Sequence, residues 1–151
     1  MIGCSISSAE ILDLPAILAL QKLAYQSEAA LVGDFSIPPL TQTLDGIIDD
    51  FNNGIVLKAV DNDKIIGSVR VHVLDSSVFI GKLIVTPLQQ NQSIGKALLS
   101  AAEGLYPNKR YELFTSSKSI KNLALYTKCG YVEFMRKRLN DNAEIVFMEK
   151  Q

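Results

Sequence analysis

The chain has 151 residues, 48% of them hydrophobic and 21% charged, with two cysteines, one histidine and a net charge of −1. That composition supports a core in one domain spanning residues 1–151 and excludes disorder, a collagen repeat or two full-sized domains. No apolar run approaches the roughly 18 residues that cross a bilayer, the amino end lacks a signal-peptide pattern, and no arginine-rich tract points to nucleic acid, so a soluble cytoplasmic protein is expected.

In chain order, the apolar period of Ile11, Leu14, Ile17, Leu18 and Leu20 predicts a helix from Ala9 to Val32, with Ser7 and Glu10 as its capping box. Gly33, Pro38 and Pro39 mark a loop. A second helix is expected from Thr41 to Asn53, with Leu44, Ile47, Ile48 and Phe51 on one side. Three β-branched segments follow, at 55–60, 64–74 and 77–85, separated by the turn-forming DND and DSS, and they predict an antiparallel meander. A helix starts near Ser93, a strand covers 110–115, and a helix over 120–130 is closed by Gly130 in a left-handed cap. YVEFMRKRL and EIVFMEK form a final strand pair. The fold class is α+β, with a mixed, mostly antiparallel sheet covered by helices on both faces.

Cys4 and Cys129 are 125 positions apart with no CxxC pair, which predicts free thiols, and the single His72 leaves no basis for a zinc site or a Ser/His/Asp triad. Charge is uneven: residues 1–75 carry four basic and ten acidic side chains, residues 76–151 eleven basic and six acidic. The segment KLIVTPLQQNQSIGKALL (82–99) passes from a buried strand through a polar loop into a helix amino terminus. Unpaired backbone N–H groups and the positive end of the helix dipole then converge, which is an anion site. It is not a Walker loop, since Gln90 replaces the first glycine and Ala97 follows Gly95–Lys96, and it contains no GxGxxG.

Val85-Thr86-Pro87 followed by Gln90-Asn91-Gln92-Ser93-Ile94-Gly95 resembles the acetyl-CoA motif [QR]xxGx[GA] of the GCN5-related N-acetyltransferase (GNAT) superfamily. Asn122-Leu123-Ala124-Leu125-Tyr126-Thr127-Lys128-Cys129-Gly130-Tyr131 resembles a second element, a tyrosine-bearing helix before a Gly-aromatic pair. The resemblance covers nearly the whole chain, implies a sheet of about seven strands and makes residues 3–6 a short first strand. One departure is Ser93 at the position of the first motif glycine, which implies weakened cofactor binding.

The resemblance implies acetyl-CoA as co-substrate. Backbone N–H groups from Gln90, Asn91, Gln92, Ser93, Ile94, Gly95 and Lys96 would hold its pyrophosphate, and the edge of the strand at Leu83, Ile84 and Val85 would pair with the pantetheine amides. The N–H of Val85 or a close neighbour would face the thioester carbonyl, a position worth about 3 kcal/mol in other enzymes. Asn122 would contact the cofactor arm and Tyr126 would protonate the departing thiolate.

An acceptor ammonium of pKa about 10.4 must lose a proton before it attacks. Many family members carry a glutamate where this chain has Phe79, which leaves Glu28, Glu112 and His72 as bases. Glu28 is favoured because Gln21, Tyr25 and Glu28, at i, i+4 and i+7, share one helix face, in a part of the family fold that lines the acceptor cleft. Gln21 and Tyr25 are therefore the expected acceptor-binding residues. The expected activity is acetyl transfer to a primary amine of a small molecule or peptide, and the acidic first helices favour a cationic acceptor. The rivals are an acyl-CoA sensor without turnover and an interaction module whose final strand pair offers an edge for a homodimer.

Overall fold

The computed structural model describes residues 4–89 and 92–151. Its elements are β1 (Cys4–Ser8), α1 (Leu14–Val32), α2 (Pro38–Thr41), α3 (Leu44–Asn52), β2 (Ile55–Asp61), β3 (Lys64–Leu74), β4 (Ser77–Val85), α4 (Gln92–Leu105), β5 (Arg110–Ser116), α5 (Ile120–Lys128), β6 (Val132–Arg138) and β7 (Glu144–Lys150). The strands form one sheet in the order β1-β2-β3-β4-β5-β7-β6. Every neighbouring pair is antiparallel except β4 and β5, which run parallel. Parallel pairing needs a crossover, and α4 supplies it.

The expected meander is present as β2, β3 and β4. Asn62 and Asp63 both take positive φ (51° and 64°) in the β2–β3 turn, a conformation these residue types tolerate and tight hairpins favour. The carboxyl end of α5 is closed by Gly130 at φ 97°. β6 is the outer edge of the sheet, exposed along its length.

Two helix boundaries differ from the sequence reading. Ser7 lies in β1, opposite Lys58 in β2, and caps nothing. A 3-10 turn over Ile11–Asp13 precedes α1, where the Glu10 N–H donates to the Asp13 carboxylate (2.7 Å) and the Asp13 carboxylate pairs with Lys58 (2.8 Å). The segment expected as one helix from Thr41 is split: α2 ends at Thr41, Gln42 is extended, and Thr43 caps α3 by accepting from the Gly46 N–H at 3.1 Å. A threonine whose hydroxyl serves the backbone in an extended conformation favours a new helix start over continuation.

The sheet is covered on both faces. Leu14 and Ile17 of α1 and Ile47 of α3 pack with Val56 on one side, where Leu20 and Ala24 also meet Ile84. Ile94, Leu98, Leu99 and Ala102 of α4 pack with Leu57, Ala59, Val69 and Val71 on the other. β3 is thus buried through six consecutive residues, Ile66–Val71, including the polar Ser68 and Arg70.

One irregularity shapes the sheet's centre. Arg70 pairs with Gly81 and Ser68 with Ile84, so Lys82 and Leu83 together oppose Val69, and Lys82 has φ 47°. Such a bulge bends and twists its strand. β4 pairs with β5 only through Ser77–Phe79 against Arg110–Glu112, and thereafter β5 pairs with β7 alone.

A Cβ on Gly67 would lie 2.9 Å from the Ile84 carbonyl oxygen and 3.0 Å from Leu98 Cδ1, so α4 sits on β3 only because this side chain is missing. Gly67→Ala is expected to destabilise the fold by about 1–3 kcal/mol in denaturant unfolding, the usual range for overpacking.

Candidate active site

The separation of β4 from β5 opens a cavity of about 720 Å³. Phe79–Leu83 of β4 and Glu112–Ser116 of β5 form two walls. Tyr25, Glu28 and Val32 of α1, the segment Ile37–Pro39, Asn122 and Tyr126 of α5, and Leu139 and Ile145 of the final hairpin close the rest. The hairpin turn is fastened to α1, since the Asn140 side-chain amide donates to the Val32 carbonyl at 2.9 Å.

Tyr25, Glu28 and Tyr126 meet in this cavity. Asn122 and Tyr126 are one helical turn apart on α5 and so point the same way. Glu28 Oε1 accepts from the Ser119 hydroxyl at 2.5 Å and from the Asn122 amide at 3.5 Å, and that amide also reaches Thr115 Oγ1 at 3.3 Å. The carboxylate of α1 is thereby tied to the start of α5. Burial raises the Tyr126 pKa well above the ordinary phenol value, and the neighbouring Tyr25 and Glu28 push it further. Burial also raises Tyr25, to about 12, with Glu28 adding to the rise and Arg70 opposing it. Both phenols therefore hold their protons at neutral pH. Tyr126 itself is buried and lines the cavity.

A polar network closes the side of the cavity toward α3. Arg70 donates from Nη2 to Gln21 Oε1 (2.5 Å) and from Nη1 to Gln42 Oε1 (3.0 Å) and Asp50 Oδ2 (2.9 Å). Gln21 Nε2 donates to the Pro39 carbonyl (2.9 Å) and to Gln42 Oε1 (3.0 Å). Lys82 Nζ lies 3.6 Å from Asp50 Oδ2. Gln21 is fully buried behind this network and lines no part of the cavity, unlike Tyr25 and Glu28 on the same helix. A helix face two turns long contains both a cavity wall and a core contact, and spacing alone does not separate them.

The other two base candidates also line the cavity. His72 stacks on Phe79 with ring centres 5.2 Å apart. Glu112 accepts from Arg110 at 2.8 Å in a cluster that includes Glu149. Arg70, Asp50, Lys82, Gln42 and Ser119 join the site or its supporting network without standing out in the sequence. One sequence signal existed for the first of them, an arginine inside a strand whose other residues read as core.

On the opposite side, a short 3-10 turn over Pro87–Gln89 follows β4 and α4 begins at Gln92. Gln90 and Asn91 lie outside the described residues, as does the side chain of Gln92. Ser93 and Lys96 are exposed in the first turn, which carries no acidic residue, while Ile94 and Gly95 are buried. A Cβ on Gly95 would come within 3.1 Å of Leu125 Cδ2, so this glycine lets α4 approach α5. Leu83 and Val85 are half-buried, the Ile84 side chain packs against α1, and this part of β4 lies beyond its pairing with β5.

The model of the acetyltransferase (GNAT) family matches residues 16–131. The chain belongs to the GNAT acetyltransferase family. Its fold is similar to that of PaiA N-acetyltransferase from Thermoplasma acidophilum, whose structure is a complex with coenzyme A (TM-score 0.81, 17% identity, 99% of each chain covered). It is also similar to the ribosomal-protein-S18-alanine N-acetyltransferase of Escherichia coli (TM-score 0.80, 18% identity, 97% of this chain and 92% of that one). Smu.2055 from Streptococcus mutans superposes as well (TM-score 0.83, 19% identity, 97% and 98%). No curated protein sequence matches the chain. The GNAT topology thus holds at identities where only the fold carries over. No helix among the described residues is long and apolar enough to cross a membrane.

The buried phenols make alkaline pH a probe of this GNAT site. A group whose folded pKa is raised contributes stability that is complete below its unfolded value, here 10, and is lost as pH rises through about 12. Unfolding free energy is expected to fall over that window by up to about 1.4 kcal/mol per pH unit for each such phenol. Tyr25→Phe should make the fall shallower in denaturant titrations at stepped pH, and an unchanged slope would remove Tyr25 from the buried site.

Proposed function

We propose that the protein is an acetyl-CoA-dependent N-acetyltransferase that passes the acetyl group directly to a primary amine within a ternary complex. The observation that carries this reading is the meeting of a carboxylate, Glu28, and a protonated phenol, Tyr126, in one cavity at the point where β4 and β5 part. Acetyl-CoA supplies a thioester whose carbonyl carbon is open to attack by an amine.

The residues fit that co-substrate in three places. The first turn of α4, with Ser93 and Lys96 exposed and no acid to repel an anion, suits a pyrophosphate, whose remaining contacts fall to Gln90, Asn91 and the backbone of Gln92, Ile94 and Gly95. The edge of β4 from Leu83 to Val85, past its last pairing with β5, suits the amides of an extended arm. Val85, at the end of that strand, is assigned to the acetyl carbonyl oxygen, where a backbone N–H stabilises developing negative charge.

Glu28 takes the proton from the acceptor ammonium, either directly or through one water. Ser119 and Asn122 hold its carboxylate in place for this. Asn122 therefore acts first on Glu28 and Thr115, and on the cofactor arm only by adjacency. Tyr126 gives its proton to the departing sulfur as the C–S bond breaks, and it is restored by the second proton that the nitrogen sheds when the tetrahedral intermediate collapses to the amide. A phenol held neutral by burial keeps that proton until a thiolate, with a conjugate acid near 8.5, develops beside it. Tyr25 forms part of the acceptor wall next to Glu28.

Two measurements test this reading. Coenzyme A at 100 times its dissociation constant is expected to stabilise the fold by about 2.7 kcal/mol in thermal unfolding. Thiol release with acetyl-CoA and an amine panel should then show Tyr126→Phe lowering kcat by about 10²-fold or more with little change in cofactor affinity. Glu28→Gln should act most strongly on acceptors of high amine pKa and least on those already neutral at the assay pH. Coenzyme A binding with no turnover on any amine would instead support an acyl-CoA sensor.

A further inference from the structure

At its α3 end the cavity holds two cations against one acid, while Glu28 and Glu112 line it elsewhere. Arg70 and Lys82 both line it, and the acid placed against them is Asp50. A single oxygen of that carboxylate, Oδ2, accepts hydrogen bonds from Arg70 Nη1 at 2.9 Å and Gln42 Nε2 at 3.0 Å, and Lys82 Nζ makes only an ion-pair contact with it at 3.6 Å. The lysine is the most distant of the three. Asp50 is thus largely engaged by the buried arginine, and Lys82 is left at the cavity wall, partly exposed, with a shared and remote counter-charge.

This positive end faces a negative one across the same space. Tyr25 senses the charge of both Arg70 and Glu28, which places the two within electrostatic reach of one side chain. Burial lowers the Lys82 pKa, and the repulsion of Arg70 is a larger influence on it than the attraction of Asp50. A partly buried cation in that position is stabilised by a further anion. The Nε of Arg70 is buried without a partner, so the guanidinium too is incompletely satisfied.

We propose that the acceptor is an amine that also carries a carboxylate, with the amine directed to Glu28 and the carboxylate paired with Lys82 beside Arg70. This rests on the N-acetyltransferase reading and replaces the cationic acceptor that the acidic first helices suggest: the acid of α3 that reaches the site, Asp50, is already paired with Arg70 and Lys82 through Oδ2. A bound carboxylate gives Lys82 a full counter-charge and holds the acceptor by its far end while Glu28 removes the proton at the near end. An amine of the same shape without the carboxylate leaves Lys82 as it is, and a diamine places a second cation against it.

The test uses paired acceptors that differ only in that group: L-alanine, β-alanine and γ-aminobutyrate against their amides, assayed by thiol release from acetyl-CoA at saturating cofactor. At least one carboxylate is expected to exceed its amide in kcat/KM by roughly 10- to 100-fold, the scale of one charge-assisted hydrogen bond. Lys82→Met should bring that ratio to within about threefold of unity and Lys82→Arg should largely keep it. Amides equal to or better than their carboxylates, or a ratio unaffected by Lys82→Met, would overturn the proposal. If none of the six is turned over, thermal unfolding with coenzyme A and each compound decides: a shift for a carboxylate that its amide and the Lys82→Met protein lack supports the inference, and equal or absent shifts overturn it. Failure of the parent reading looks different, as no coenzyme A binding and no turnover of any amine.

Discussion

The parting of β4 from β5 after three paired residues is the constraint on which the rest of the site depends. A sheet that stayed paired through Val85 would have no cavity, and α5 would have no cleft to face. The bulge at Lys82 and Leu83 supplies the bend. It takes Lys82 and Leu83 out of one-to-one register with β3 while β4 runs on past its pairing with β5, and the Lys82 ammonium lies 3.6 Å from Asp50 on the α3 side.

The two faces of the sheet divide the labour. On the α4 side, packing is apolar and close, and Gly67 and Gly95 set the approach of α4 to β3 and α5. That closeness positions the first turn of α4 beside the strand end. On the α1 side, the core gives way to a polar layer in which Gln21, Gln42, Asp50 and Arg70 satisfy one another. A buried arginine is tolerable only with such partners, because an unpaired buried charge costs several kcal/mol. The split between α2 and α3 follows from the same need: Gln42 is extended between the two helices and turned into the network.

Electrostatics then sets the protonation states. Tyr25 and Tyr126 stay neutral because burial and the neighbouring Glu28 both disfavour a phenolate. The same low-dielectric pocket that keeps the proton on Tyr126 is the setting in which a developing thiolate would most need one.

The sequence by itself determined the order of elements, the strand limits of the meander, the glycine-closed helix before Tyr131 and the family to which the chain belongs. These follow from local period, turn chemistry and two spaced motifs, which depend on residues near one another in the chain. It also singled out Glu28 and Tyr126, the first by helical face and the second by motif. Only the tertiary structure decided which residues of the α1 face reach the cavity, since Gln21 and Glu28 share that face but Gln21 is claimed by Arg70, 49 positions away. It likewise decided that Asp50 is a counter-ion of Arg70 and Lys82. Charge counted along a chain carries a sign but no partner, and the partners here come from three different elements, α3, β3 and β4, brought together by strand pairing and by the packing of α3 on the sheet.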